Sequence, residues 1–308
     1  MLPGPAARER RRTHSATTTK GQRAVSYIVG IVPEMNRRNM LLTTGMGMLA
    51  AAAGVPEALA SPNHAAPPAA PSAGPSGPYI FQDEFDGPAG QGPDLAKWTP
   101  QTWQDDVYPP VDGIYRSQNV FLDGNSNLVL QATRENGQYF SGKLRGNWRG
   151  MINTTWEARI KLDCLFPGLW PSFWTVNEDP QPDGEVDIFE WYGNGLWAPG
   201  TTVHAASNGK TWEGKSIPGL VDGAWHTWQM RWDTDGFKFS RDGAEYFKVP
   251  PKPIHVHGGA PDDFRWPFNN PGYWMTPMFT LAVGGVGAGD PAAGTFPCRM
   301  LVDYIRVW

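Results

Sequence analysis

Three acids stand in one short apolar run, Glu185-Val186-Asp187-Ile188-Phe189-Glu190. Acids interleaved with large apolar residues, two of them β-branched, predict a strand. Successive side chains on a strand point to opposite faces, so Glu185 and Asp187 share one. Strict alternation would send Glu190 to the other face. One extra residue, a β-bulge, returns it to the first two, and bulges are frequent beside active sites. Four effective steps of ~3.3 Å put the two glutamate Cα atoms ~13 Å apart. If each side chain leans inward by ~4 Å, the carboxyls reach the ~5–5.5 Å of a retaining glycosidase pair, in which one attacks a sugar carbon and the other exchanges a proton. The alternative is a half-buried strand with a solvated acidic face. Against it, crowded like charges are costly, and between Gly150 and Lys210 the only basic residues are Arg159 and Lys161.

Such a strand needs a sheet to hold it. The 308 residues include 36 Gly and 30 Pro, with many Thr, Val, Trp and Phe, a composition of short strands and frequent turns. Strand-like runs recur at residues 127–132, 155–162, 225–232 and 300–308, and the second and last alternate regularly. No long amphipathic helical pattern and no internal repeat interrupts them. The expected fold is all-β, with two packed antiparallel sheets. All 15 Trp lie between Trp98 and Trp308, and flat rings in such number suit stacking on sugars.

The chain divides by composition. Residues 1–34 are polar and basic, without a core pattern, and read as an upstream extension ahead of a better start at Met35. Residues 35–60 carry Arg37-Arg38, an apolar stretch and Ala58-Leu59-Ala60, the order of an export signal of the twin-arginine kind. The apolar run is shorter than the ~20 residues of a spanning helix, so no stable membrane insertion is expected after its removal. Residues 61–78 are a Pro/Ala-rich linker, and residues 79–308 form one domain. Beyond residue 60 there are 18 basic and 27 acidic residues, a net charge of −9, which sets nucleic acid aside as a partner. Cys164 and Cys298, the only cysteines, could pair in an exported domain or remain as two buried thiols.

Six segments in order resemble family 16 of the glycoside hydrolases, in its laminarinase-like β-glucanase branch. They are Phe81-Gln82-Asp83-Glu84-Phe85-Asp86-Gly87, Gly168-Leu169-Trp170-Pro171-Ser172-Phe173-Trp174, the acid run as that family's bulged Glu-x-Asp-x-x-Glu, Trp225-His226-Thr227-Trp228, Leu281-Ala282-Val283-Gly284-Gly285, and residues 301–307. The resemblance implies a jelly-roll β-sandwich with a concave substrate cleft, and secreted, retaining endo-hydrolysis of β-1,3-glucan by double displacement. Glu185 would be the nucleophile and Glu190 the acid/base, with Asp187 tuning both. It implies a polysaccharide as partner, a monomer, and no cofactor for catalysis.

Tryptophans flanking the acids are the candidate sugar platforms: Trp170 and Trp174, which share a strand face by spacing, Trp191 directly after the acids, and Trp148 beside Arg145 from a neighbouring strand. His204 matches a cleft histidine of the laminarinase-like members. Asp303 matches a carboxylate with which family members hold a structural Ca²⁺. One segment departs from the pattern. Where the branch reads Asn-Leu-Ala-Val-Gly-Gly-x-Trp, this chain has Thr280 and Gly287, removing a sugar contact and opening the choice of polymer. Mixed-linkage glucan, a galactan or glycosyl transfer remain alternatives, as does a sugar-binding jelly roll without catalysis. Gly284-Gly285-Val286-Gly287-Ala288-Gly289 has no helix pattern after it and is not read as a phosphate loop. His255 and His257 lack a third metal ligand and read as a solvated loop.

Overall fold

The computed structural model describes residues 78–104, 111–177, 184–206, 211–251, 254–255 and 264–308. The expected extension, export signal and most of the linker lie outside them, as does His257. Among the described residues the regular structure is almost wholly strands, most of which form two large sheets. The smaller runs in the order Thr211–Ser216, Gly200–Ala206, Glu185–Glu190, Leu169–Val176, Trp274–Val283, Lys143–Gly146, Trp98–Pro100, with Gly150–Met151 also on Trp274–Val283. The larger runs Ala244–Val249, Gly236–Arg241, His226–Asp233, Thr154–Asp163, Cys298–Val307, Leu128–Glu135, Gln138–Ser141, Gly113–Tyr115. Phe81–Asp83 and Val120–Leu122 pair with members of it. All four strand-like runs of the sequence fall on observed strands. Pairing is antiparallel except where Gly113–Tyr115 meets Gln138–Ser141.

Alternation builds the core between the sheets. The smaller sheet contributes Phe173, Val186, Val203, Phe279 and Leu281, and the larger contributes Trp156, Ala158, Ile160, Trp228, Met230 and Val302, in one cluster. Phe189 meets Trp228 across it at 4.4 Å between ring centroids, and Phe173 stacks on Phe279 at 4.9 Å. This is the jelly-roll sandwich expected from the sequence, and the other face of its smaller sheet remains for chemistry. Cys164 and Cys298 are buried free thiols. Arg299 faces Asp163 across the two strands, which places the cysteines one register step further on. Burial pushes the Cys298 thiol up to about 12.

Candidate active site

The bulge is where the acid run requires it. Against the Leu169–Val176 strand, Glu190 faces Ser172 and Phe189 faces Phe173, but Trp174 faces Asp187, so one residue is skipped. On the other side Asp187 faces Thr202 and Glu190 faces Gly200, with the same irregularity. Ile188 and Phe189, though adjacent, both turn into the core and are fully buried. The three acids thereby keep the opposite face. A bulge disturbs the ladder and leaves backbone groups to be satisfied elsewhere. Here the Ile188 carbonyl accepts bonds from the Thr201 hydroxyl at 2.8 Å and the Tyr246 hydroxyl at 2.9 Å. Tyr246 comes from the other sheet, so the sandwich itself holds the bulge.

Residues directly opposite on antiparallel strands share a face, so the registers lay out the site in rows. One row runs His204, Glu185, Val176, Thr276, and the next Thr202, Asp187, Trp174, Met278, Arg145. A third runs Gly200, Glu190, Ser172, Thr280, Lys143, with Trp170 and Ala282 beyond it. Asp187 and Glu190 are buried on this face at 3% and 8% exposure, while Glu185 keeps part of its surface in water.

Each acid has identifiable partners. His204 Nε2 lies 3.2 Å from Asp187 Oδ2. Both oxygens of Glu190 are taken: the Trp170 indole donates to Oε1 at 2.8 Å and the Tyr192 hydroxyl to Oε2 at 2.6 Å. Burial and the neighbouring Asp187 charge push the Glu185 carboxyl well above the ordinary range. Burial, then repulsion from Glu190, does the same to Asp187. Burial also raises Glu190, but the bonds from Tyr192 and Trp170 pull it partly back. The strip therefore holds protons more readily than free carboxyls do.

Of the expected sugar contacts, Trp170, Trp174, His204 and Arg145 fall on the acid face, and two expectations need correction. Trp191 follows Glu190 by one step, so alternation carries it to the other side, where it packs against the core. Trp148 also packs on the core, stacked on Phe81 at 5.4 Å and against Trp156 at 5.1 Å. Trp174 is on the right face but only 6% exposed, donating its indole N–H to Thr280 Oγ1 at 2.9 Å, and offers little ring to a sugar. Two residues on this face were not singled out in advance. Tyr192 follows Glu190 by two steps, the parity that puts it on the acid face. Lys143 is buried among the rings of Trp103, Tyr115 and Trp174, its Nζ 5.2–5.8 Å from their centroids.

Asp303 lies on the far face of the larger sheet, and its carboxylate bonds the Arg159 guanidinium at 2.6 Å. Among the described residues, one group of three metal-binding side chains comes together, Glu185, Asp187 and His204, whose ligand atoms lie within 4.8 Å of one another. Gly287 sits directly beneath Trp170: a Cβ there would lie 2.5 Å from the indole Cδ2.

Comparison with known proteins agrees with this geometry. The sequence profile of glycosyl hydrolases family 16 matches residues 109–267. A crystal structure of the Mycobacterium tuberculosis protein Rv0315, described as an immunostimulatory antigen and pseudo β-1,3-glucanase, is 49% identical with a TM-score of 0.69, covering 75% of this chain and 99% of that one. A β-1,3-glucanase structure from Mycobacterium marinum is 46% identical with a TM-score of 0.67, covering 76% and 100%. The glucan endo-1,3-β-glucosidase A1 of Niallia circulans is 27% identical over 267 residues, 74% of this chain and 37% of that protein. The chain spans about a third of the length of the curated relatives it matches, between 29% and 37%. The profile match, the mycobacterial structures and the bulged acid strand together make this chain a member of glycosyl hydrolases family 16.

Proposed function

We propose that this chain is a secreted, retaining endo-β-glucanase that hydrolyses β-1,3-glucan. The observation that carries the proposal is the bulged strand that sets Glu185, Asp187 and Glu190 on one face. Glu185, the most water-exposed of the three, attacks the anomeric carbon. Glu190 gives its proton to the departing sugar oxygen, then takes one from the water that releases the glycosyl-enzyme. Asp187, between them and beside His204, keeps the two glutamates in different protonation states. Trp170, with Arg145 three strands from the acids, would contact the glycan. Secretion rests on the twin-arginine-like segment at residues 35–60.

A second function, glycan binding with little hydrolysis, draws support from Glu190, both of whose oxygens are occupied, and from the relative described as a pseudo β-1,3-glucanase. Reducing ends released from laminarin, lichenan and agarose, measured side by side, separate these and the mixed-linkage and galactan alternatives. Release from laminarin that disappears in Glu185→Ala and Glu190→Ala supports the proposal. Binding to laminarin with no release from any polymer would sink it.

A further inference from the structure

We propose that Trp170 and Tyr192 form a latch on the acid/base carboxylate Glu190, and that Gly287 sets the latch by leaving room for the Trp170 ring. This rests on the assignment of Glu190 as the acid/base of a retaining hydrolase. The acid/base must enter the first step as a carboxylic acid, because the leaving oxygen needs its proton. An indole N–H can only donate, and hydrogen bonds to an ionised acceptor are roughly twice as strong as neutral ones. The bonds at 2.8 Å from Trp170 and 2.6 Å from Tyr192 therefore favour Glu190 as the carboxylate. With both in place, a smaller share of Glu190 carries the proton that the leaving sugar requires.

Gly287 belongs to this device because of what it leaves out. Its hypothetical Cβ would meet Cδ2, Cε2 and Cε3 of Trp170 at 2.5, 2.7 and 2.7 Å. The ring lies flat on the glycine, with Val111 and Ala282 beside it. The short helical turn Gly285–Ala288 that carries Gly287 is anchored: the Asn194 amide donates to the Gly287 carbonyl at 3.2 Å, and its side chain to the Val286 carbonyl at 2.9 Å. A methyl group at 287 must therefore push the ring and not the turn. Restoring ordinary contact of ~3.5 Å displaces the fused ring by about 1 Å. Directed along the bond, that shift carries a 2.8 Å bond past the distance at which it counts as one. Gly287 has no positive φ, so alanine adds the methyl without backbone strain.

Tyr192 is held from behind by Trp197, ring to ring at 5.2 Å, and faces Trp170 at 5.9 Å. The other ionisable groups facing Glu190 are Asp187 and Glu185 on its own strand and His204 on the next. Lys143 shares its row two strands beyond Ser172. Asp112 packs at Gly284, ahead of the helical turn. Trp170 and Tyr192 are thus positioning residues, acting through the one carboxyl they hold.

The test compares wild type with Tyr192→Phe and Gly287→Ala by two readouts. The first is the pH profile of kcat/KM on a laminari-oligosaccharide and on the 2,4-dinitrophenyl glycoside of the same sugar, whose leaving group needs no proton. The second is the ¹³C titration of the glutamate side-chain carboxyls, with Glu190→Gln identifying the signal. Each variant should raise the Glu190 titration by about one pH unit. Each should carry the basic limb on the oligosaccharide upward with it, for about a 10-fold gain on that limb, with a clearly smaller effect on release of dinitrophenolate. A Glu190 signal that titrates alike in all three proteins overturns the latch, whatever the activity. If the signal moves as stated while no protein releases dinitrophenolate, the latch stands and the hydrolase assignment fails.

Discussion

Glu185→Gln should make the protein more stable while ending hydrolysis. Glu185 and Asp187 present oxygens within 4.8 Å of each other. Two unit charges at that distance repel by about 3.5 kcal/mol at an effective dielectric of about 20. Because Glu185 keeps part of its surface in water, roughly half of that, about 2 kcal/mol, is the usable figure. For a domain of about 230 residues this raises Tm by about 4–8 °C. The pH dependence gives the sign. Burial and like charge hold the folded-state carboxyls above their unfolded value, so the native state binds more protons than the unfolded one. Stability then falls as pH rises from the ordinary carboxylate range through the raised folded-state value. Glutamine removes one titrating group from that set, so the gain should grow as pH rises through the raised folded-state value and should shrink toward zero near pH 4. Thermal melts of both proteins across that range measure it. A lower Tm for the variant at neutral pH would refute the electrostatic account, and so would a gain independent of pH, which would indicate packing.

Three other substitutions test other parts of the site and its scaffold. Tyr246→Phe removes one of two donors to the Ile188 carbonyl and should cost about 1 kcal/mol in denaturant melts, with kcat falling further than KM changes because the bulge positions Glu190. His204→Gln removes the imidazole 3.2 Å from Asp187 and should lower kcat/KM about 10-fold, with the fold retained by circular dichroism. Gly236→Ala places a Cβ 2.1 Å from the Val249 carbonyl at a φ of +97°, and should cost about 2 kcal/mol in the same melts without altering the pH profile of the purified protein.

How much was legible in advance turns on parity. Alternation alone put Glu185 and Asp187 together, and the acid at the sixth position demanded a bulge, which the register shift between Asp187 and Glu190 supplies. The same counting, carried one residue further, would have sent Trp191 inward and Tyr192 to the acid face. Trp148 could not be placed, because it lies between the strands Lys143–Gly146 and Gly150–Met151 and its direction is set by contacts with Phe81 and Trp156. Asp303 alternates outward as expected, but its pairing with Arg159, 144 residues earlier in the chain, follows from strand order, which spacing does not encode.

The departure at Gly287 links what was legible to what was not. From sequence it reads as a loss, a glycine where related chains carry a tryptophan against the sugar. In the fold no gap remains, because the Trp170 ring lies over the glycine and its indole N–H reaches Glu190. In this chain the space that a side chain at 287 would take is filled by the Trp170 ring, 2.5–2.7 Å from where its Cβ would stand. Under the latch proposed above, a chain keeps all three carboxyls, the bulge that aligns them and the sandwich that holds the bulge, and its rate is set by a residue on a neighbouring turn. The hydrogen bonds on Glu190 would then govern how readily its proton is given.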